Sequence, residues 1–155
     1  MNYQLRGLEP AQFERLFDLD DAELTCRGMK RMRVDAPVGF PCRVTLEDAP
    51  LGEEVLLLPF AHQDGRSPYR ASGPIFVRRG FTQAQRIVGS LPPYLTRRLL
   101  SVRAYDDADM MVAAEVLEGA EAEPLFRQWL ARPDVSYLHV HFAKRGCFGC
   151  RVERA

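Results

Sequence analysis

Hydrophobic positions change period several times along the chain, and each change marks an element. Tyr3, Gln4 and Leu5 read as a short opening strand. Pro10 takes a first helical position, and Phe13, Leu16 and Phe17 follow at the spacing of one helical face, which predicts about two helical turns. Asp20 and Glu23 have capping-box spacing, so a second short helix is expected over 21–26, ended by Gly28. Pro37, Gly39 and Pro41 make 34–41 a loop, whereas Arg43 to Leu46 alternates, predicting a strand with Val44 and Leu46 turned inward. The apolar run in 54–60 fits a strand covered on both faces. Residues 61–73 are loop by composition, and Pro74 opens a strand over 74–78. Helical turns are expected near 82–88 and after Pro93.

In the C-terminal half, 99–105 and 110–117 read as two strands around a 106–109 hairpin loop. Residues 121–131 form the best helix, with Leu125, Phe126, Trp129 and Leu130 as its sheet-facing stripe and Pro133 as its stop. The last two strands are 135–142 and 147–154. This pattern predicts an α+β fold: one domain over 1–155, a mostly antiparallel twisted sheet of six to seven strands, two to three helices and a C-terminal β-hairpin.

The register of that hairpin decides what chemistry it displays. Alternation sets Leu138, Val140 and Phe142 on one face and Tyr137, His139 and His141 on the other. A three-residue loop, Lys144 to Gly146, pairs Phe142 with Phe148, Val140 with Cys150 and Leu138 with Val152, so every apolar side chain falls on one face. Cys147 then joins the histidines, diagonal to His141 at roughly 7–8 Å, with Arg151 opposite His139. Cys147 and Cys150 point apart, which argues against a disulfide or a zinc knuckle.

Composition narrows the function classes without selecting one. The 155 residues are 46% apolar and 27% charged, with 21 basic and 21 acidic side chains, so the chain is neither disordered nor drawn to nucleic acid by net charge. No stretch of about 18 apolar residues exists to span a membrane. The N-terminal stretch lacks an apolar signal core, so a cytoplasmic location with reduced thiols is expected.

The candidate catalytic residues are His139, His141 and Cys147, combining a base with an imidazole-activated thiol. Arg43, Tyr69, Arg70 and Arg151 are candidate ligand-binding residues, because guanidiniums and hydroxyls near exposed amides suit a phosphate or carboxylate. A metal needs a third ligand such as His62, and no sequence spacing brings one to the pair, so no metal site is assigned. The cofactor is unknown: neither a P-loop nor a dinucleotide fingerprint is present. A small hydrolase or transferase acting on an anionic small molecule is one reading. A non-catalytic module that binds a small molecule or a protein is the other, and whether the chain is an enzyme stays open, as does its oligomeric state.

The segments FPCRVTLEDAPLGEEVLLLPFAH, SPYRASGPIFVRRG, LLSVRAYDDADMM and YLHVHFAKRGCFGCRVERA, in that order and spacing, resemble the bacterial proteins grouped as domain of unknown function 1203. The resemblance covers nearly the whole chain. It implies a small bacterial single-domain protein, and it carries over no catalytic residue.

Overall fold

The computed structural model describes residues 2–155. Its α+β architecture holds two sheets where the pattern predicts one. In the first sheet, β10 (Tyr137–Phe142) lies between β11 (Phe148–Arg154) and β8 (Leu99–Tyr105). Outside β11 come β1 (Tyr3–Arg6) and then β7 (Arg86–Val88), while β9 (Met111–Glu118) closes the other edge. Every pairing in it is antiparallel. The second sheet runs β2 (Lys30–Arg33), β5 (Glu54–Gln63), β6 (Ala71–Arg78), β3 (Pro41–Cys42) and β4 (Glu47–Asp48), with one parallel step between β3 and β6.

Three helices complete the fold. Asp20 and Glu23 close the expected capping box on α1 (Asp21–Cys26), and Gly28 past its end takes φ 71°, a left-handed value that glycine adopts without a Cβ clash. Pro93 begins the single turn of α2 (Pro93–Thr96). In α3 (Ala122–Leu130), Phe126, Trp129 and Leu130 are buried against the first sheet and Leu125 packs at the edge of the same core. The predicted helix over 10–17 is instead two 3-10 turns, Pro10–Gln12 and Glu14–Asp18, which still sink Phe13 and Phe17 beneath the second sheet. No helix of the described residues is long and apolar enough to cross a membrane.

The main core lies between α3 and one face of the first sheet, where Leu100, Val102, Leu138, Val140 and Val152 meet Phe126 and Leu130. Burying side chains of this size supplies most of the favourable free energy of such a layer.

Three other expectations are corrected. Residues 43–46 do not form a strand. The Leu46 amide bonds the Cys42 carbonyl at 3.0 Å, so the chain coils and all four side chains are buried, with Val44 and Leu46 going to different cores. Alternation over four residues cannot distinguish such a turn from a strand. Residues 61–63 extend β5 rather than opening a loop, and 86–88 form β7 rather than a helical turn.

Candidate functional site

The hairpin of β10 and β11 begins as the sequence predicts, with Leu138 opposite Val152, His139 opposite Arg151 and Val140 opposite Cys150. The register then shifts, and His141 faces Phe148 where Phe142 was expected to. Gly149 is the extra residue of a β-bulge, which ends simple alternation. A Cβ on Gly149 would stand 3.1 Å from both the Val140 carbonyl oxygen and Cζ of Phe142, so the absent side chain lets Phe142 fold across. Phe142 therefore packs on Tyr94 at 5.2 Å, and Phe148 turns to the opposite face among the imidazoles. The connection is also one residue longer than expected: the Phe142 amide bonds the Cys147 carbonyl at 2.9 Å across 143–146. Gly149→Ala should cost about 1–3 kcal/mol by overpacking. Urea unfolding checks this, and an unchanged midpoint would mean the bulge does not need glycine.

A bulge leaves carbonyls without ladder partners, and here two side chains satisfy them. Nε of Arg43 donates to the Phe148 carbonyl at 2.7 Å, and the Tyr94 hydroxyl donates to the Gly149 carbonyl at 2.9 Å. Nη1 of Arg43 donates to the Pro41 carbonyl at 2.6 Å, and the side chain is 1% exposed. Arg43 is thus a tether between the sheets, with these bonds committed to backbone carbonyls, rather than an open anion receptor.

The continuation of β5 carries His62 over the polar face of the first sheet. All three histidines of the chain meet there: the His62 ring lies 4.8 Å from that of His141 and 6.3 Å from that of His139, and it stacks on Phe148 at 5.7 Å. His139 and His141 are 4% and 0% exposed, so this face is an interior seam between sheets.

Nδ1 of His141 donates to the Gly146 carbonyl at 2.9 Å, which leaves Nε2 as a lone pair facing Nη1 of Arg103 at 3.4 Å. Burial pushes the pKa of His141 down to about 3, reinforced by Arg103, and that of His139 down to about 2, reinforced by His141 and Arg151. Burial also lowers the pKa of His62, with Arg103 adding to it. Nδ1 of His62 and Nδ1 of His139 are buried without a hydrogen-bond partner. Among the described residues, no three His, Cys, Asp or Glu side chains are arranged to hold a metal ion. The guanidinium at Nε2 of His141 occupies the direction from which a cation would approach.

Arg103 is the charged member of the site. It sits on β8 directly opposite His139, with Nε 3.4 Å from Oγ of Ser101, and it forms no ion pair with a carboxylate among the described residues. Its neighbours across β9 are small and open: Ala114 faces Arg103, and Val116, 55% exposed, faces Ser101. The result is a shelf of sheet surface beside the histidine seam, floored by small side chains and carrying one uncompensated positive charge.

The other candidates fall around this centre unevenly. Arg151 reaches the Tyr137 ring at 3.8 Å and pairs with Glu153 at 3.1 Å, so its charge is compensated. Tyr69, 39% exposed, touches Tyr105 edge-on at 6.4 Å, while Arg70 is exposed on the same loop. Ser67 ties that loop to the Asp109 carbonyl at 2.7 Å, and Asp109 accepts from the Tyr137 hydroxyl at 2.5 Å. Cys147 packs against the α3 core, as does Cys150, because the bulge turns Phe148 rather than Cys147 toward the imidazoles. The expected Cys147–His141 juxtaposition and the opposed thiols are both corrected by that single residue, although all four cysteines are free. Two surface cavities, of about 340 and 240 Å³, lie elsewhere, around Tyr94 and Arg97 and around Phe13 and Phe81.

Sequence reasoning missed Arg103 and Ser101. Their signal was alternation on 99–105, which sets Ser101, Arg103 and Tyr105 on the polar face; what was lacking was the pairing of that strand with 137–142.

Fold and site define a two-sheet α+β protein with a cationic shelf beside a seam of neutral imidazoles. The chain belongs to the family described as Protein of unknown function (DUF1203), whose model matches residues 39–154. It matches no curated protein and no solved structure.

Proposed function

We propose that this protein binds a small anionic molecule, a carboxylate or phosphate, on the shelf at Arg103, and that it does so as a binding module rather than as a catalyst. The observation that carries the reading is a part-buried guanidinium with no carboxylate partner, held between Oγ of Ser101 and the Nε2 lone pair of His141. Such a group gains a charge-assisted, two-pronged bond when an oxyanion arrives. Catalysis by His139 or His141 is disfavoured because a general base works best with a pKa near the working pH, and both rings are held far below it. The reading goes with a cytoplasmic, single-domain bacterial protein, where four free thiols suit a reducing compartment.

Thermal shift and calorimetry with inorganic phosphate, succinate and a sugar phosphate test it. At least one should stabilise the wild type, and Arg103→Gln should weaken its binding about tenfold to a hundredfold, the value of a charged hydrogen bond. Arg151→Gln should leave binding within about twofold, as its charge is already paired. Equal binding by wild type and Arg103→Gln, or no binding of any of the three anions, would overturn the proposal.

A further inference from the structure

The two sheets have four edges, and three are defended. β7 has three residues and β4 only two, too short to template a partner strand. β2 carries Lys30, Arg31 and Arg33, the charges that keep an edge from pairing. β9 differs. It has eight residues, against about 5–6 in an average strand, and contains no Lys, Arg or Pro. Its register shift lies at the end next to the hairpin loop, leaving 113–118 regular. The outer side of this strand has no neighbour in the sheet, and Val116 and nearby Met110 are exposed hydrophobics.

We propose that β9 is the interface of a homodimer, in which the strand pairs antiparallel with its own copy and joins two six-stranded sheets into one. The occupant is a second copy because the strand is complementary to itself. A two-fold axis normal to the sheet pairs residues an even number apart. Centred on Val116, it sets Val116 against its copy and Glu115 against Leu117. Centred on Ala114, it sets Ala114 against its copy and Ala113 against Glu115. Neither register opposes like charges within the strand; only axes through Glu115 or Glu118 would do so. The backbone groups on the open edge supply the ladder, as in strand addition generally.

Sedimentation of the full chain over a wide concentration range tests the interface. The wild type should approach twice 17.6 kDa, and the double variant Val116→Lys with Ala114→Lys, which sets a lysine against its own copy in either register, should return the mass to 17.6 kDa. Both positions are exposed, so far-UV dichroism should be unchanged. Hydrogen exchange on the wild type gives a second measurement, independent of the variants: amides on the outer side of 113–118 should be protected at high concentration and exchange on dilution. A wild type that stays monomeric throughout, or a dimer that survives both lysines, overturns the proposal. So does protection that appears only when another protein's extended peptide is added.

Discussion

Arg43→Met lowers the stability of the protein by about 2–4 kcal/mol, the cost of two hydrogen bonds from a charged donor to buried carbonyls less the release of the buried charge. The guanidinium is 1% exposed, and its bonds to the Phe148 and Pro41 carbonyls join the start of the second sheet to the bulged strand of the first. Methionine fills much of the same volume but donates nothing, so the Phe148 carbonyl is left dry and unpaired. Each hydrogen bond from a charged donor contributes about 1.5–3 kcal/mol, and an orphaned acceptor keeps its desolvation cost. Release of the buried charge offsets part of this, which is why the expected value stays below the sum of the lost bonds. Chemical denaturation measures the difference. A loss under about 1 kcal/mol would show that the tether is dispensable and that the bulge is held by Tyr94 alone. Tyr94→Phe provides the comparison, since it removes only the bond to the Gly149 carbonyl and should cost about 1 kcal/mol.

The parts of the fold that could be read in advance are those whose cause is local. The capping box at Asp20, the proline at the start of α2, the stripe of α3 and the hairpin of β8 and β9 all follow from neighbours within a few residues. Most of the hairpin register followed too, because Leu138, Val140, Cys150 and Val152 alternate cleanly. What alternation could not reveal was a residue that belongs to neither face. Gly149 moves Cys147 away from the histidines and Phe148 toward them, and the packing that selects it, Phe142 against Tyr94, involves residues far apart in sequence. The second sheet was hidden for a related reason. β3 and β4 are two residues each, too short to show any period, and His62 sits in a segment whose Asp64, Gly65 and Pro68 resemble loop composition. Arg43 looked available because its neighbours seemed to be a strand; coiled instead, the segment buries every side chain it has.

The same seam makes the protein sensitive to acid well above the range where carboxylates protonate. Between pH 7.5 and pH 5, stability should fall by about 4 kcal/mol. His139 and His141 have folded pKa values of about 2 and about 3, against 6.5 for a free imidazole. The unfolded chain therefore takes up protons as pH drops through 6.5 while the folded chain does not, so stability is complete above 6.5 and declines toward the folded values. At pH 5 each ring contributes about 2 kcal/mol to the loss, and His62, shifted the same way, adds to it. Against the upward push of burial, Arg6 and Arg151 hold the Glu153 carboxyl below the usual carboxylate range, so its own contribution falls mostly below this window. His139→Phe, which keeps an aromatic ring beside Phe148 and Tyr105, should remove about half of the decline. Unfolding curves at a series of pH values decide the matter: a flat wild-type profile, or a slope unchanged in His139→Phe, would contradict it. Protonating these rings would place new positive charge beside Arg103, Arg151 and Arg43, the cations that already act on them. Because His62 reaches them from the second sheet, that repulsion falls across the seam itself, and acid should loosen the contact between the two sheets before it touches the α3 core.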